Sequence, residues 1–299
     1  MPFDGRSAQY RAWKQQRLQM QDRLAHGNTG PPANSLSPNG DIDSTSETLK
    51  RICDEVRDYG FSLYQWSEPA DDVSTSVEHL HRRLSLSAHD TGVLQTGSGL
   101  SLLRDLSSTA RGRFVPYTAR AMGWHTDGYY NAPEQTLRCF TLHCIHPAAS
   151  GGTLTVVDPE LLLIALYDDD PQLVTDLCHP QCMTLPANQD DVGHDRPDRH
   201  VPVLFAHTDG TPGLRFTTRT QHISWLSDAT KAAAERLAEL IDLHSQWHQA
   251  IRLDSGQGII TRNILHRRDA FTDDPAGPSR QMLRGRYLQL PVTSVQSAS

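Results

Sequence analysis

The chain has few cysteines, no long apolar run and no surplus of positive charge, and each shortage removes a class of protein. Five cysteines, Cys53, Cys139, Cys144, Cys178 and Cys182, are too few and too irregularly spaced over 299 residues for a disulfide framework. That usage suits a reducing compartment and makes the cytoplasm the expected location. The longest apolar run, Leu161 to Tyr167, falls far short of the roughly 20 residues a bilayer span needs, so no membrane association is expected. Met1-Pro2-Phe3-Asp4-Gly5-Arg6 leads into polar sequence without the apolar core of a secretory signal. A net charge of −7, from 35 acidic against 28 basic residues, argues against nucleic acid as a partner. Gly and Pro, at 20 and 18, stand at average usage and exclude collagen-like or low-complexity sequence.

What is present is a globular composition, 37% apolar, with an unusual 15 histidines that justify a search for metal ligands. Residues 7–26 carry Tyr10, Trp13, Leu18, Met20 and Leu24 among helix formers and read as a helix lying across the outside of the fold. Residues 27–44, dense in Gly, Pro, Asn and Ser, read as a linker, so residues 1–45 form an arm and 46–299 the main domain. Leu49, Ile52, Val56 and Tyr59 at helical spacing before Gly60 predict a helix, and 61–66 a strand. Residues 136–146 and 152–157 have the β-branched and aromatic content of strands. Asp158-Pro159-Glu160 supplies an N-cap, a first-turn proline and an acidic first turn for a helix to about Tyr167. Residues 184–212 are polar and rich in Asp, Pro and His, and are expected to form a long functional loop that closes as a lid. Residues 229–248 predict a further helix, and 251–253, 258–262 and 283–290 strands.

Trp124-His125-Thr126-Asp127-Gly128 sets an imidazole and a carboxylate two residues apart, so on a strand end both emerge on one face and can converge on one cation. Nitrogen and oxygen donors together suit a first-row metal, and two His with one carboxylate leave positions open on non-heme iron. Cys178-His179-Pro180-Gln181-Cys182, with His194 and His200, offers a competing structural zinc site, but lacks a second pair of close ligands. Downstream, an apolar strand runs through Asn263-Ile264-Leu265 to His266, followed by Arg280, Arg284 and Arg286.

In these blocks the sequence resembles the taurine dioxygenase and 2,4-dichlorophenoxyacetate dioxygenase family of Fe(II)- and 2-oxoglutarate-dependent oxygenases, and is similar to γ-butyrobetaine hydroxylase. The matching pieces are 124–128, the Gly151-Gly152 turn, Asn263 to His266, the Arg268 to Asp273 tail and the Arg280/Arg284 pair, across roughly residues 48–291. The resemblance implies that His125, Asp127 and His266 are the iron ligands and that Arg280 holds the distal carboxylate of 2-oxoglutarate through a planar fork. It also implies a hydroxyl residue at the second position after the glycine pair. The strict match there is Leu154, with Thr153 the chosen candidate and Thr155 the alternative. Arg284, Tyr129 and Asn131 are candidates for contacting the prime substrate.

The implied fold is mainly β with flanking helices, a double-stranded β-helix or jelly roll of cupin-like form. The implied activity is oxidation, most simply hydroxylation, of a small molecule with O₂, releasing succinate and CO₂, the molecule being an anion if Arg284 contacts it. A carboxylate at 127 argues against the related halogenases, which carry a small residue there. Two rivals stand beside this reading: a metal-dependent hydrolase or isomerase on the same barrel, and a non-catalytic small-molecule-binding barrel. Association into a homo-oligomer is left open.

Overall fold

The computed structural model describes residues 7–26, 33–38, 42–90, 99–109, 112, 114–189 and 195–293. Two sheets carry the fold. The larger has six strands in the order β1-β2-β8-β5-β10-β3, where β1 is Asn34–Leu36, β2 Phe61–Trp66, β3 Leu100–Leu103, β5 Cys139–His146, β8 Gln257–Thr261 and β10 Gln281–Tyr287. The smaller has four in the order β7-β6-β9-β4, with β4 Met122–His125, β6 Leu154–Val157, β7 Gln249–Ile251 and β9 Leu265–Arg268. Every neighbouring pair is antiparallel except β1 with β2. This is the double-stranded β-helix expected from the sequence.

Strand alternation sorts the side chains into three layers. Leu154 and Val156 of β6, Ile259 of β8, Cys144 of β5 and Met282 of β10 face each other between the sheets. On the back of the large sheet, Ile260, Leu283 and Tyr287 pack against α2 (Ile42–Tyr59) and α3 (Val73–Arg83). On the back of the small sheet, Trp124, Val157 and Leu265 pack against α4 (Pro159–Asp169), α5 (Pro171–Leu177) and α6 (Asp228–Leu243).

Helix ends follow their local chemistry. Asp158 caps α4 by accepting from the Glu160 N–H at 2.9 Å, as its sequence implied. Asp170 caps α5 in the same way, accepting from the Gln172 N–H at 2.8 Å. Ser227 and Thr230 form a reciprocal capping box at the start of α6.

Two stretches differ from expectation. Within the stretch read as a linker, residues 34–36 form β1, whose Asn34 amide donates to Glu55 at 2.9 Å and Ser62 at 3.1 Å while Leu36 is buried. A three-residue strand is too short to show a period, so composition alone hid it. The boundary expected between residues 45 and 46 falls inside α2. The preceding helix α1 (Ala8–His26) lies on the outside of α4, with the Tyr10 and Tyr167 rings 5.0 Å apart and the Trp13 indole N–H donating to Glu160 at 2.9 Å. Residues 184–212 likewise contain short paired strands in place of one long loop: 199–201 lies against 183–185, 195–196 against 188–189, and 204–206 against 212–214.

Candidate metal centre and cosubstrate cavity

β4 and β9 are antiparallel neighbours in a register that sets His125 directly opposite His266. The two imidazoles face the interior of the barrel with ring centroids 4.2 Å apart. Asp127 lies just beyond the end of β4, and its Oδ1 is 3.7 Å from His125 Nε2 and 4.0 Å from His266 Nε2. One donor atom from each residue falls within 4.8 Å of the others, and this is the one such group among the described residues. The competing cysteine site does not assemble there: all five cysteines are free, the His200 ring bonds Thr184 Oγ1 at 2.8 Å, and His194 lies outside the described residues.

The protonation states suit a cation. His125 Nδ1 lies 2.8 Å from Gly123 O and His266 Nδ1 3.0 Å from Ile264 O, so each Nδ1 carries the proton and each Nε2 lone pair points inward. Burial holds the His125 ring below its ordinary pKa and pushes His266, with help from His125, down to about 3. Both rings are therefore neutral at neutral pH, and their approach to Asp127 is not ion pairing. Burial opposes ionisation of Asp127, but Arg284 and the two imidazoles outweigh it and hold its carboxyl below the usual range. His125 Nε2 and Asp127 Oδ2 are buried without a hydrogen-bond partner, the condition expected of ligand atoms meant for a metal. The donor set fits a divalent first-row ion.

A cavity of about 760 Å³ of non-protein space, open mouth included, adjoins these groups. Four arginines line it, Arg252, Arg268, Arg280 and Arg284, against a single carboxylate, Asp127. Arg280 is buried over the Phe271 ring, 4.9 Å from its centroid, and no carboxylate among the described residues pairs with its guanidinium. Gly152 lies beside it at φ +71°, in the left-handed region that favours glycine. Arg284 Nη1 lies 3.6 Å from Asp127 Oδ2. Arg268 donates to Thr118 O at 2.8 Å and to Arg120 O, and Arg252 to Ala148 O at 2.7 Å.

The remaining sequence candidates lie elsewhere. At the glycine turn the cavity wall is Gly151, Gly152 and Leu154, so Thr153 is not part of the lining, and Thr155 faces away from Leu154 by strand alternation. Tyr129 packs against the core behind the small sheet, and the Asn131 amide donates to Gln135 O at 3.0 Å and to Asp90 at 3.4 Å. Neither lines the cavity. Arg286 pairs with Asp90 and bonds the Tyr130 hydroxyl. The sequence reading missed Arg252 and Arg268. Arg268 shares a strand face with His266 at spacing two and was within reach of that rule, whereas Arg252 comes from a distant strand end.

A jelly roll with a His-x-Asp pair and a distal histidine turned into its interior defines the class of non-heme iron oxygenases. Within that class the chain belongs to the taurine catabolism dioxygenase TauD, TfdA family, which matches residues 68–287, and it is a 2-oxoglutarate-dependent dioxygenase. A Streptomyces protein named uridine-5'-phosphate dioxygenase is 28% identical over 253 residues, covering 78% of this chain and 87% of the relative. Asparagine oxygenase, solved with Fe(II), 3-hydroxyasparagine and succinate, has a TM-score of 0.59 at 16% identity, covering 93% of this chain and 91% of that chain. The non-heme iron oxygenase OrfP, solved with Fe, succinate and (3S)-hydroxy-L-Arg, has a TM-score of 0.59 at 13% identity, covering 93% and 92%. At those identities the structures speak for the fold, and they agree with it.

Proposed function

We propose that His125, Asp127 and His266 hold Fe(II), that Arg280 holds the distal carboxylate of 2-oxoglutarate, and that the prime substrate is a small anion, with a nucleoside monophosphate the first to test. The observation that carries the substrate class is the charge of the cavity: four guanidiniums against one carboxylate. The metal's two positive charges balance the two negative charges of 2-oxoglutarate, so the guanidinium excess remains for the substrate. A phosphate monoester fits that excess better than a zwitterionic amino acid. The name of the Streptomyces relative points the same way.

When bound, iron and 2-oxoglutarate supply the oxidising power with O₂, and succinate and CO₂ leave. The chain supplies the rest. Two neutral imidazoles and one ionised carboxylate from facing strands set the donor geometry. Arg280, with its planar fork against a buried ring, fixes one end of the cosubstrate. Arg284, beside Asp127, is placed to hold an anionic group of the substrate near the metal. Apolar walls from Phe140, Leu142, Leu154 and Met282 exclude water from the reaction. The sparse, irregular cysteine usage supports a cytoplasmic enzyme; among the described residues no helix is long and apolar enough to cross a membrane.

The test is turnover of 2-oxoglutarate by the iron-loaded enzyme with uridine-5'-phosphate, asparagine or arginine as prime substrate, followed by succinate release. Coupled turnover with the phosphate ester alone is expected. Coupling to a free amino acid and not to the ester would overturn the anionic reading.

A further inference from the structure

Asp127 lies past the end of β4, so no strand ladder holds its peptide group in place. One side chain from the other end of the molecule's sequence does so. Asn263 Oδ1 accepts from the Asp127 N–H at 2.9 Å, while Asn263 Nδ2 donates to Asp127 O at 3.0 Å and to Leu137 O at 3.1 Å. Both backbone groups of the carboxylate residue are thereby taken by a single amide.

The position of Asn263 explains why it can do this. It occupies the turn where the chain leaves β8 of the large sheet and enters β9 of the small one, with φ at +55°, a conformation that Asn adopts more readily than other side chains. On one side, Arg262 is fixed by its N–H to Gly60 O at 2.9 Å and by ion pairs to Asp158 and Glu160. On the other, Ile264 O receives His266 Nδ1 at 3.0 Å. The clamp on Asp127 and the bond that orients His266 therefore spring from adjacent residues. Gly128, at φ +65°, completes the turn on the opposite side, where a Cβ would meet Leu137 Cδ1 at 2.6 Å.

We propose that Asn263 is a positioning residue for the metal centre, fixing the Asp127 carboxylate relative to the two imidazoles through its grip on the Asp127 peptide. It touches neither metal nor substrate. The inference rests on the reading that the triad binds iron, and the experiment keeps the two apart.

Metal-free protein is titrated anaerobically with Mn(II) by calorimetry, and with Co(II) by its visible spectrum, for wild type, Asp127→Ala and Asn263→Gly. Glycine accepts the left-handed backbone and removes the side chain with its amide. Asn263→Gly is expected to bind Mn(II) about 10- to 100-fold more weakly. At saturating Co(II) its spectrum should be altered, which a loss of fold stability alone would not do. Wild-type affinity and an unchanged Co(II) spectrum in Asn263→Gly, while Asp127→Ala loses metal, would overturn the role of Asn263 and leave the triad standing. No loss in Asp127→Ala would overturn the triad itself. Should Asn263→Gly not fold, hydrogen exchange in wild-type apoprotein decides: a protected Asp127 N–H is expected, and exchange there at the unprotected rate would overturn the clamp.

Discussion

Two of the places where the molecule gathers arginines are built on opposite principles. Between α1, α4 and the end of β8, Arg17 and Arg262 meet Asp158 and Glu160, two cations with two anions, all with side chains at most 12% exposed. In the cavity, four arginines, Arg268 and Arg280 buried, Arg284 half-buried and Arg252 exposed at the mouth, meet one carboxylate. Taking a charge out of water is costly unless a partner of opposite sign goes with it. The first cluster is therefore complete and holds the N-terminal helix to the core. The second is incomplete until anions arrive, which is the property of a binding site.

That contrast can be broken first at the metal. His125→Ala, Asp127→Ala and His266→Ala should each abolish succinate formation while circular dichroism and the melting temperature stay near wild type. Unfolding of any of the three would place the triad in the structural class with Asp158.

The sharper comparison is Asp158→Ala against Arg280→Ala. Removing Asp158 strands two buried guanidiniums, and urea unfolding should report a loss of about 3 to 5 kcal/mol. Removing Arg280 leaves no buried anion behind, so stability should hold or rise. Its cost should instead fall on 2-oxoglutarate, about a hundredfold in the affinity read from the visible absorption of the anaerobic iron complex. Lysine at 280 should recover only part of it, since an ammonium lacks the fork. If Arg280→Ala melts like Asp158→Ala, the distinction between the clusters is wrong.

Arg284→Ala is expected to spare 2-oxoglutarate binding and to lower coupled oxidation of an anionic substrate about tenfold or more. Large loss of cosubstrate binding here, with little at Arg280, would show the two arginines exchanged.

A third solution to buried polarity is to carry no charge at all, and its effect is absent at neutral pH and emerges only on acidification. His81, bonded to the Tyr287 hydroxyl at 2.7 Å behind the large sheet, has its pKa pushed down to about 3 by burial and by nearby His143. An unfolded histidine takes its proton near 6.5, so the unfolded state gains protons first as pH falls. The contribution is whole above pH 6.5 and drains away toward pH 3, by at most about 1.4 kcal/mol per pH unit. His81→Phe should flatten the slope of stability against pH in that window, and an unchanged slope would remove His81 as its source.

How much of this could be read from the residues alone follows from range. The gathering of His125, Asp127 and His266 was legible because His125 and Asp127 are two apart and the family resemblance pointed to His266. Helix α4 was legible because its cap is local, and α6 because its apolar stripe repeats at helical spacing. What stayed hidden depends on distant partners or very short elements. β1 carries three residues and no period. Tyr129 and Asn131 sit directly after the metal motif, yet the turn at Gly128 sends them to the core and to Asp90. Strand alternation lets Leu154 face the cavity and turns Thr155 away. Arg252 reaches the cavity only because β7 pairs with β6.

One consequence follows from β4 forming the outer strand of the small sheet, with a single isolated bridge from His125 to Thr217 on its free side. Neither imidazole can swing away without surrendering its bond to a main-chain carbonyl of its own segment, at Gly123 or Ile264. A captured ion would thus rivet the outermost strand to its neighbour. Occupancy of the centre and opening of that border of the sheet would then be thermodynamically linked, each opposing the other.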